Sequence, residues 1–529
     1  MNKKIFNPLF VAIAAILGVL AGSIITERAN ERITRTHKKM DSKIDMLLNL
    51  VNLQYVDTVD IDSLVEKSIP KIMEELDPHT VYVPAKNLQM VNDELEGSFS
   101  GIGVQFNIQN DTIMIIDVIS GGPSEKLGIL PGDRIVEVND TLFVGEKINN
   151  DAVMHKLRGP KNTHVKVGIK RPGTDELLSF DITRGDVPVN SVDAHFILKE
   201  HIGYVKVGKF GANTYNEFSS ALHDLKNNGA DRYIIDLRSN SGGYLDAAVY
   251  MINEFLHEGD LIVYTEGKAQ KRQDIIADGN GEFQNYPMTV LIDEWSASAS
   301  EIFAGSIQDN DRGTILGRRS FGKGLVQQQI PLNDGSALRL TVARYYTPSG
   351  RCIQKPYGDK SKYQQEVYER YLSGELYNQD SVKMGADTMK YYTKENHVVY
   401  GGGGIMPDVF VPCDTTFNSS FYNKLVSSGS LYDYSFRFSD EHRQQLTDFG
   451  DYKKADNFLK SQPIYKNVTE FALTKKVQCD TPQPQRTQEK VTQLVRAYIL
   501  RNIYGENAFY SIYYENDPVL QEAMKKLGE

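Results

Sequence analysis

Cysteine is scarce in this 529-residue chain, and the three cysteines it contains, Cys352, Cys413 and Cys479, lie far apart. An odd and scattered set of cysteines indicates neither a disulfide framework nor a zinc-binding cluster. The patterns His-Glu-x-x-His and Cys-x-x-Cys are also absent from the sequence. We therefore expect no catalytic metal and no cofactor.

Positive charge is in deficit, because 59 Lys and Arg residues stand against 69 Asp and Glu residues, a net charge of −10. A nucleic-acid-binding protein needs clustered positive charge to neutralise phosphates, so we expect no nucleic-acid partner. Hydrophobic residues make up 40% of the chain and charged residues 24%. These values exclude disorder and a polytopic membrane protein for most of the chain. The length suggests about three to four domains.

Long uncharged runs are missing except at the N-terminus, where one extends from Ile5 to Thr26. About 20 residues in a helix span roughly 30 Å, the thickness of a bilayer core. Two interpretations stay open: an uncleaved signal anchor, or a signal peptide cut near Ala21-Gly22. The positive-inside rule favours a cytoplasmic location for the residues that follow, because five positive charges come directly after the run. These are Arg28, Arg32, Arg35, Lys38 and Lys39.

Four patterns divide the rest of the chain. Residues 27–75 carry apolar side chains at helical spacing. A glycine-rich turn at 97–104 opens a strand-rich stretch that ends near Thr183 and contains one helix, near Asn149–Leu157. From Ser191 onward strands and helices alternate, which predicts an α/β core with largely parallel strands. After Pro412 the sequence becomes polar, rich in tyrosine and helical.

The first candidate catalytic segment is Trp-Ser-Ala-Ser-Ala-Ser-Glu at 295–301, followed by Gly-Lys-Gly at 322–324. A serine becomes a nucleophile when a base removes its proton, and a buried lysine can be that base because desolvation lowers its pKa. An ordinary helix cap and a solvated loop lysine are the alternative interpretations. The pattern alone does not choose among Ser296, Ser298 and Ser300.

The second candidate segment is Asp-Leu-Arg-Ser-Asn-Ser-Gly-Gly at 236–243. Unhindered glycine amides at the start of a helix can hold an oxyanion, and a tight strand-to-helix turn is the alternative. Histidine does not support a Ser-His-Asp triad, because the histidines of this region lie on predicted strand or helix faces. They are His195, His201, His223 and His257.

Five segments occur in order along the chain: Leu76–Thr80, Phe99–Gly103, Leu237–Gly243, Ser296–Glu301 and Gly322–Gln327. Together they resemble the carboxyl-terminal processing peptidases, or tail-specific proteases, of serine peptidase family S41. The resemblance covers roughly residues 40–412.

The fold class that this resemblance implies is α/β, with a crotonase/ClpP-like catalytic core at 186–412 and an inserted β-rich PDZ domain at 91–185. A signal anchor or signal peptide at 1–26 and an N-terminal helical region at 27–90 precede these domains. A mostly helical C-terminal extension of unknown role, at 413–529, follows them.

The resemblance also implies the catalytic residues. In this family the nucleophilic serine lies 25 residues before the catalytic lysine, which selects Ser298 as the nucleophile and Lys323 as the base. Gln327 matches the glutamine that orients the lysine amine. The backbone amides of Gly242 and Ala299 match the oxyanion donors.

The PDZ domain of this family binds peptide C-termini, and its carboxylate-binding loop corresponds to Gly101, Ile102, Gly103 and Val104. The helix near Asn149–Leu157 forms the other wall of the groove. Such a groove receives a peptide as an added strand and holds its terminal carboxylate. We therefore expect the partners to be protein or peptide substrates with free, apolar C-termini.

The function implied is a serine endopeptidase that recognises protein C-termini and processes or degrades exported proteins. A catalytically inactive PDZ scaffold or chaperone of the cell envelope is the alternative, and the intact Ser298, Lys323 and Gln327 argue against it. Because family members are exported, we expect the chain on the periplasmic side of the bacterial inner membrane, anchored by residues 5–26 or released by cleavage. A homo-oligomer is one option for its assembly.

Two positions depart from the family pattern. Ser241 stands where a proline commonly precedes the paired glycines, and Glu294 and Trp295 stand where glycine-rich residues commonly precede the serine motif. Neither departure replaces a catalytic side chain, but both change the surroundings of the expected oxyanion site.

Overall fold

The computed structural model describes residues 43–109, 111–146, 148–171, 173–199, 201–382, 389–479 and 481–528. The expected signal segment, residues 5–26, lies outside these ranges. Among the described residues, no helix combines the length and the apolar character needed to cross a membrane. The described residues before Asp77 belong to a separate unit with two helices, α1 (Lys43–Gln54) and α2 (Ile61–Glu74).

A small β domain follows. Its sheet has the antiparallel order β3-β4-β5-β7-β8, with β6 paired to β5, and strands β2 and β9 form a separate pair. Branched side chains, such as Ile113 of β4 and Val165 of β7, form the core of this domain. The elements are β2 (Ser98–Gly101), β3 (Val104–Gln109), β4 (Thr112–Val118), α4 (Pro123–Lys126), β5 (Arg134–Val138), β6 (Thr141–Leu142), α5 (Asn150–Leu157), β7 (His164–Lys170), β8 (Leu177–Thr183) and β9 (Gly185–Pro188); α3 (Ala85–Glu96) precedes them.

The α/β core is built on a six-stranded sheet with the order β10-β11-β12-β15-β16-β21. All neighbours from β11 to β21 run parallel, and β10 pairs antiparallel to β11 at one edge. The elements are β10 (Val192–Ile197), β11 (Ile202–Val207), α6 (Thr214–Asn227), β12 (Arg232–Asp236), α7 (Leu245–Asn253), β15 (Met288–Ile292), α8 (Ala299–Asp309), β16 (Thr314–Gly317) and β21 (Val409–Phe410). This layout confirms the predicted α/β core with largely parallel strands.

A second, antiparallel sheet stands beside the first, with the order β1-β18-β13-β14 and with β17 paired to β18. Its strands are β1 (Val81–Val83), β13 (Leu261–Glu266), β14 (Gln273–Ile276), β17 (Leu325–Pro331) and β18 (Ala337–Tyr346). Strand β1 was not predicted. Its pairing with β18 brings the preceding residues, Asp77–Thr80, next to the strand hairpin that follows Lys323.

The C-terminal extension is helical, as predicted, and has a hydrophobic core of its own around Leu446, Leu459 and Leu494. The last helix, α17, instead packs on the main sheet through Val519 and Leu520. The helices are α10 (Ser420–Ser427), α11 (Ser430–Glu441), α12 (Arg443–Asp448), α13 (Tyr452–Lys460), α14 (Ile464–Thr474), α15 (Gln485–Tyr504), α16 (Glu506–Tyr513) and α17 (Pro518–Lys526); α9 (Lys360–Ser373) and the hairpin of β19 (Lys390–Tyr392) and β20 (Val398–Tyr400) lie between β18 and β21.

Candidate active site

Three serines follow strand β15, and burial separates them. The Ser296 hydroxyl is buried and donates to the Leu237 carbonyl at 2.8 Å. The Ser300 hydroxyl is also buried and donates to the Asn240 carbonyl at 2.8 Å. Ser298 alone of the three is partly exposed, at the start of α8 with a φ of 55°. Because a nucleophile must reach its substrate, the geometry favours Ser298.

Glu301 lies three residues after Ser298 and is completely buried. Its Oε2 accepts hydrogen bonds from the backbone amides of Ser298 and Lys323, each at 2.8 Å. Its Oε1 accepts from the Gly322 amide at 2.7 Å and from the Ser320 hydroxyl at 2.5 Å. Burial raises the pKa of Glu301, although these four donors favour the charged form. One carboxylate thus joins the serine segment to the lysine segment.

A second bridge joins the same two segments. The hydroxyl of the buried Tyr345 lies 3.1 Å from the Ser298 carbonyl oxygen and 2.7 Å from the Lys323 carbonyl oxygen. The strand that carries Tyr345, β18, therefore fixes the backbones of Ser298 and Lys323 relative to each other.

The Lys323 amine donates a hydrogen bond to Gln327 Oε1 at 3.0 Å. Burial lowers the pKa of Lys323, and the carboxylates of Glu301 and Asp77 offset part of that effect. A lowered pKa increases the neutral fraction of the amine, which is the form that accepts a proton from a serine. The environment of Lys323 is therefore suited to a general base.

Gln327 follows a β-bulge in β17, where the pairing register with β18 shifts. Bulges commonly re-aim side chains next to active sites. The Gln327 amide group donates to the His79 carbonyl, which fixes the Gln327 oxygen toward Lys323. Burial and the charge of Lys323 lower the pKa of His79 to about 4, so its ring is neutral near pH 7. These contacts hold the Gln327 side chain beside the Lys323 amine.

Gly242 lies against the start of α8. A Cβ at Gly242, whose φ is 101°, would stand 2.7 Å from the Ser298 Cβ and 2.9 Å from the Ala299 nitrogen. Ala299 is the first residue of α8, where backbone amides have no partner within the helix. The Gly242 amide, in contrast, donates to Asn240 Oδ1 at 2.8 Å. Gly242 must share or release this hydrogen bond before it can hold an oxyanion.

The segment that leads to Gly242 is held by a buried cluster of charges. The Arg238 guanidinium contacts the fully buried Asp236 at 2.6 Å and both oxygens of Asp517 at 2.9 Å. The Lys206 amine donates to the Arg238 carbonyl, and the Tyr204 hydroxyl donates to Asp236 at 2.8 Å. Because Asp517 belongs to the C-terminal extension, the extension stabilises the candidate oxyanion segment from outside the core.

The expected carboxylate-binding loop lies between β2 and β3. Ile102 is 3% exposed, and its carbonyl accepts a hydrogen bond from the Ser124 amide at 2.9 Å. Gly103 has a φ of 79°, a conformation that favours glycine. Gly101 ends β2, which pairs with β9, and Val104 begins β3, which pairs with β4. The connection between the two strands is therefore only two residues long.

The two departures from the family pattern leave Ser298 and Lys323 in place. Ser241 is exposed. Glu294 is buried and pairs with Arg318, with its Oε2 at 2.7 Å. Trp295 is 54% exposed beside the serine segment. The only tryptophan of the chain is thus available to a substrate.

Sequence reasoning did not assign roles to three residues that hold the site together: Glu301, Tyr345 and Asp517. Glu301 had a usable signal, since Ser-x-x-Glu at 298–301 has the spacing of a capping box. Tyr345 and Asp517 had none, because they reach the site through contacts between segments far apart in the sequence.

Residues 201–360 match the model of peptidase family S41, and residues 100–182 match that of the PDZ domain. The chain is 36% identical over 361 residues to the "Carboxy-terminal-processing protease" of Bartonella bacilliformis, an alignment that covers 67% of this chain and 80% of the relative. The chain belongs to peptidase family S41. This membership confirms the resemblance described above and makes the protein a serine-type peptidase, a hydrolase, with a PDZ domain.

Other members of family S41 are also similar. "Carboxy-terminal processing protease CtpB" of Bacillus subtilis is 34% identical over 331 residues, which cover 60% of this chain and 66% of the relative. The solved "photosystem II D1 C-terminal processing protease" is 26% identical, with a TM-score of 0.36, and the alignment covers 69% of this S41 chain and 91% of that structure. Residues 421–505, in the extension, match a family of unknown function.

Proposed function

We propose that Ser298 and Lys323 are the catalytic pair of a C-terminal processing endopeptidase. The neutral Lys323 amine takes the proton of the Ser298 hydroxyl while the serine oxygen attacks the carbonyl carbon of a peptide bond. The amides of Ala299 and Gly242 stabilise the resulting oxyanion. The oxyanion then collapses and the peptide C–N bond breaks. The leaving amine takes the proton from the Lys323 ammonium, and the acyl group stays on Ser298.

Deacylation repeats this sequence with water as the nucleophile and the Ser298 oxygen as the leaving group. Lys323 takes a proton from a water molecule, whose oxygen attacks the acyl carbon. The oxyanion collapses, the bond to Ser298 breaks, and the proton returns to the serine oxygen as the new carboxyl terminus leaves. No metal or cofactor takes part in this proposal.

The observation that carries the proposal is the double bridge between the two catalytic segments. Glu301 accepts from the amides of Ser298 and Lys323, and the Tyr345 hydroxyl contacts the carbonyls of the same two residues. A lysine that served only as a surface charge would need neither this attachment nor a buried amine with a lowered pKa.

We further propose that the PDZ domain selects substrates by a free, apolar C-terminus. Gly101, Ile102, Gly103 and Val104 supply the loop for the terminal carboxylate, and α5 supplies the opposite wall of the groove. The parallel sheet with helices at the ends of its strands also supports the expected crotonase/ClpP-like core.

The expected location is likewise a proposal. The uncharged run at residues 5–26 supports export to the periplasmic side of the inner membrane. Protease added to spheroplasts should then digest the chain. Digestion only after the inner membrane is broken would contradict export.

Digestion of an unfolded model protein tests the catalytic proposal. The unsubstituted chain should cleave it, and Ser298→Ala should lose activity by several orders of magnitude. Ser427→Ala is the matched control, because Ser427 is an exposed serine at the end of α10. Full activity of Ser298→Ala would contradict the proposal, because another residue would then be the nucleophile. Failure of the unsubstituted chain to cleave would instead favour a PDZ-containing scaffold.

A further inference from the structure

A large cavity lies between the PDZ domain, the edge of the main sheet and the C-terminal extension. Its volume is about 1280 Å³. Pockets for small molecules typically measure about 300–1,000 Å³, so this cavity is large enough for a segment of polypeptide. The PDZ side of the cavity is the groove itself, with Ile102, Gly103, Val104, Phe106, Met154 and Leu157.

The extension lines this cavity with aromatic residues, five of which we name the aromatic wall, and with Arg501 and Glu506 beside them. The aromatic wall consists of Tyr432, Tyr498, Phe509, Tyr510 and Tyr513. Their rings contact one another in series. The Tyr432 and Tyr498 centroids are 4.3 Å apart, those of Tyr498 and Phe509 are 5.7 Å apart, and those of Phe509 and Tyr513 are 5.2 Å apart. Rings packed in this way present a preformed apolar face with polar edges.

The extension is attached to the PDZ domain at several points, which sets the position of the aromatic wall. Asp433 of α11 pairs with Arg134 of β5 at 3.1 Å, and both side chains are largely buried. The Gln109 side chain of β3 donates to the Ser428 carbonyl at 3.3 Å. Gly132 leaves room for Phe436, since a Cβ at that glycine would stand 3.2 Å from the Phe436 Cβ.

The occupant that fits this cavity is an extended C-terminal peptide. Strand β3 is the edge of the PDZ sheet, and no described strand pairs with its outer side. An edge strand offers unpaired backbone groups to an incoming strand, which is how PDZ domains bind peptides. Side chains of that peptide would alternate between two directions, as in any β-strand.

We propose that the C-terminal extension is a second recognition surface for the substrate tail, with the PDZ groove binding the final side chain and the aromatic wall binding the penultimate one. The inference rests on the proposed function, because it takes the groove to bind free C-termini. It gives the extension a direct role in specificity, with preference for an apolar or aromatic penultimate residue.

Peptide binding to the full chain carrying Ser298→Ala tests this inference. The probes are fluorescent peptides with an apolar free C-terminus, which differ only in a penultimate Phe or Ser, and an amidated version of the Phe peptide. Binding is followed by fluorescence anisotropy. The Phe peptide should bind about tenfold more tightly than the Ser peptide, as expected for about 1.4 kcal/mol from contact between aromatic rings.

Variants of the aromatic wall should remove this difference. In Tyr432→Ala and Tyr510→Ala the Ser-to-Phe ratio of Kd should fall to about two or less, which corresponds to about 0.4 kcal/mol. The ratio is insensitive to partial unfolding, because unfolding weakens the binding of both peptides equally. The matched control is Tyr452→Ala, a partly buried tyrosine of the extension that does not line the cavity, and it should keep the ratio of the parent.

The outcomes separate this inference from the proposed function. If the parent chain binds free and amidated peptides equally well, C-terminal recognition fails and the inference falls with it. If the parent prefers the free peptide but the wall variants keep the full ratio, only the inference is overturned. Tighter binding of both peptides by the wall variants would also overturn it, since the extension would then block the groove.

Discussion

Replacing Glu301 with Gln tests whether one buried carboxylate positions the nucleophile and the base. The side chain accepts four hydrogen bonds, two of them from the amides of Ser298 and Lys323. Glutamine keeps one acceptor oxygen and turns an NH2 group toward the donors on the other side. Two of the four donors therefore lose their acceptor.

The structure sets the expected size of the effect. A buried donor that is left without an acceptor costs about 1–3 kcal/mol, so Glu301→Gln should lower the free energy of unfolding by about 2–6 kcal/mol. A shift of about 1 Å in a catalytic group can reduce the rate about 100-fold. We expect kcat to fall by about that factor or more, with little change in KM, because Glu301 is buried and does not contact substrate.

The assay combines urea unfolding with kcat and KM on a fluorogenic peptide, measured where the variant is still folded. Glu294→Gln is the matched control, since Glu294 is also buried in this segment but pairs with Arg318. Glu294→Gln should be less stable than the parent chain but should keep kcat within about tenfold of the parent. This factor corresponds to about 1.4 kcal/mol in the activation free energy. A folded Glu301→Gln chain with the kcat of the parent would refute the positioning role.

Three further predictions concern the base and the extension. Activity should rise with pH through the lowered pKa of Lys323, because only the neutral amine accepts the serine proton, and EDTA should have no effect; a flat pH profile or a need for added metal would contradict this. Gln327→Ala should reduce kcat less than Lys323→Ala does. Gln327→Glu should move the rise of activity to higher pH, since a negative charge beside the Lys323 amine favours its protonated form. An unchanged pH profile in Gln327→Glu would argue against the contact between Gln327 and Lys323. Asp517→Ala should lower the free energy of unfolding by about 3 kcal/mol, because it leaves Arg238 short of a partner, whereas the exposed Asp448→Ala should have little effect; equal unfolding curves for the two variants would show that the ion pair does not stabilise the fold.

The elements that the sequence predicts best are bounded by turn residues and carry a clear apolar pattern. The alternation of strands and helices predicted from Ser191 onward includes β11, β12 and β15 of the main sheet. The helix near Asn149–Leu157 begins where Asn149 accepts a hydrogen bond from the Ala152 amide. Local patterns suffice for such elements because capping and burial act within a few residues.

Long-range contacts limit what could be predicted. Val81–Val83 is three residues long and becomes a strand through pairing with β18. In this pairing Val81 lies opposite Arg339, more than 250 positions further along the chain. The choice of Ser298 among three serines came from family spacing, whereas the structure separates the three by burial. The contact of Asp517 with Arg238 joins the last helix to the core, and no local pattern indicates it.

Covalent labelling with a fluorophosphonate tests the Ser298–Lys323 pair most directly, because the reagent marks the serine that a base has activated. Mass spectrometry of the labelled full chain should place the adduct on Ser298, and Lys323→Ala should abolish the labelling while the chain stays folded. An adduct on Ser296 or Ser300, or equal labelling of Ser298 without Lys323, would contradict the proposed mechanism.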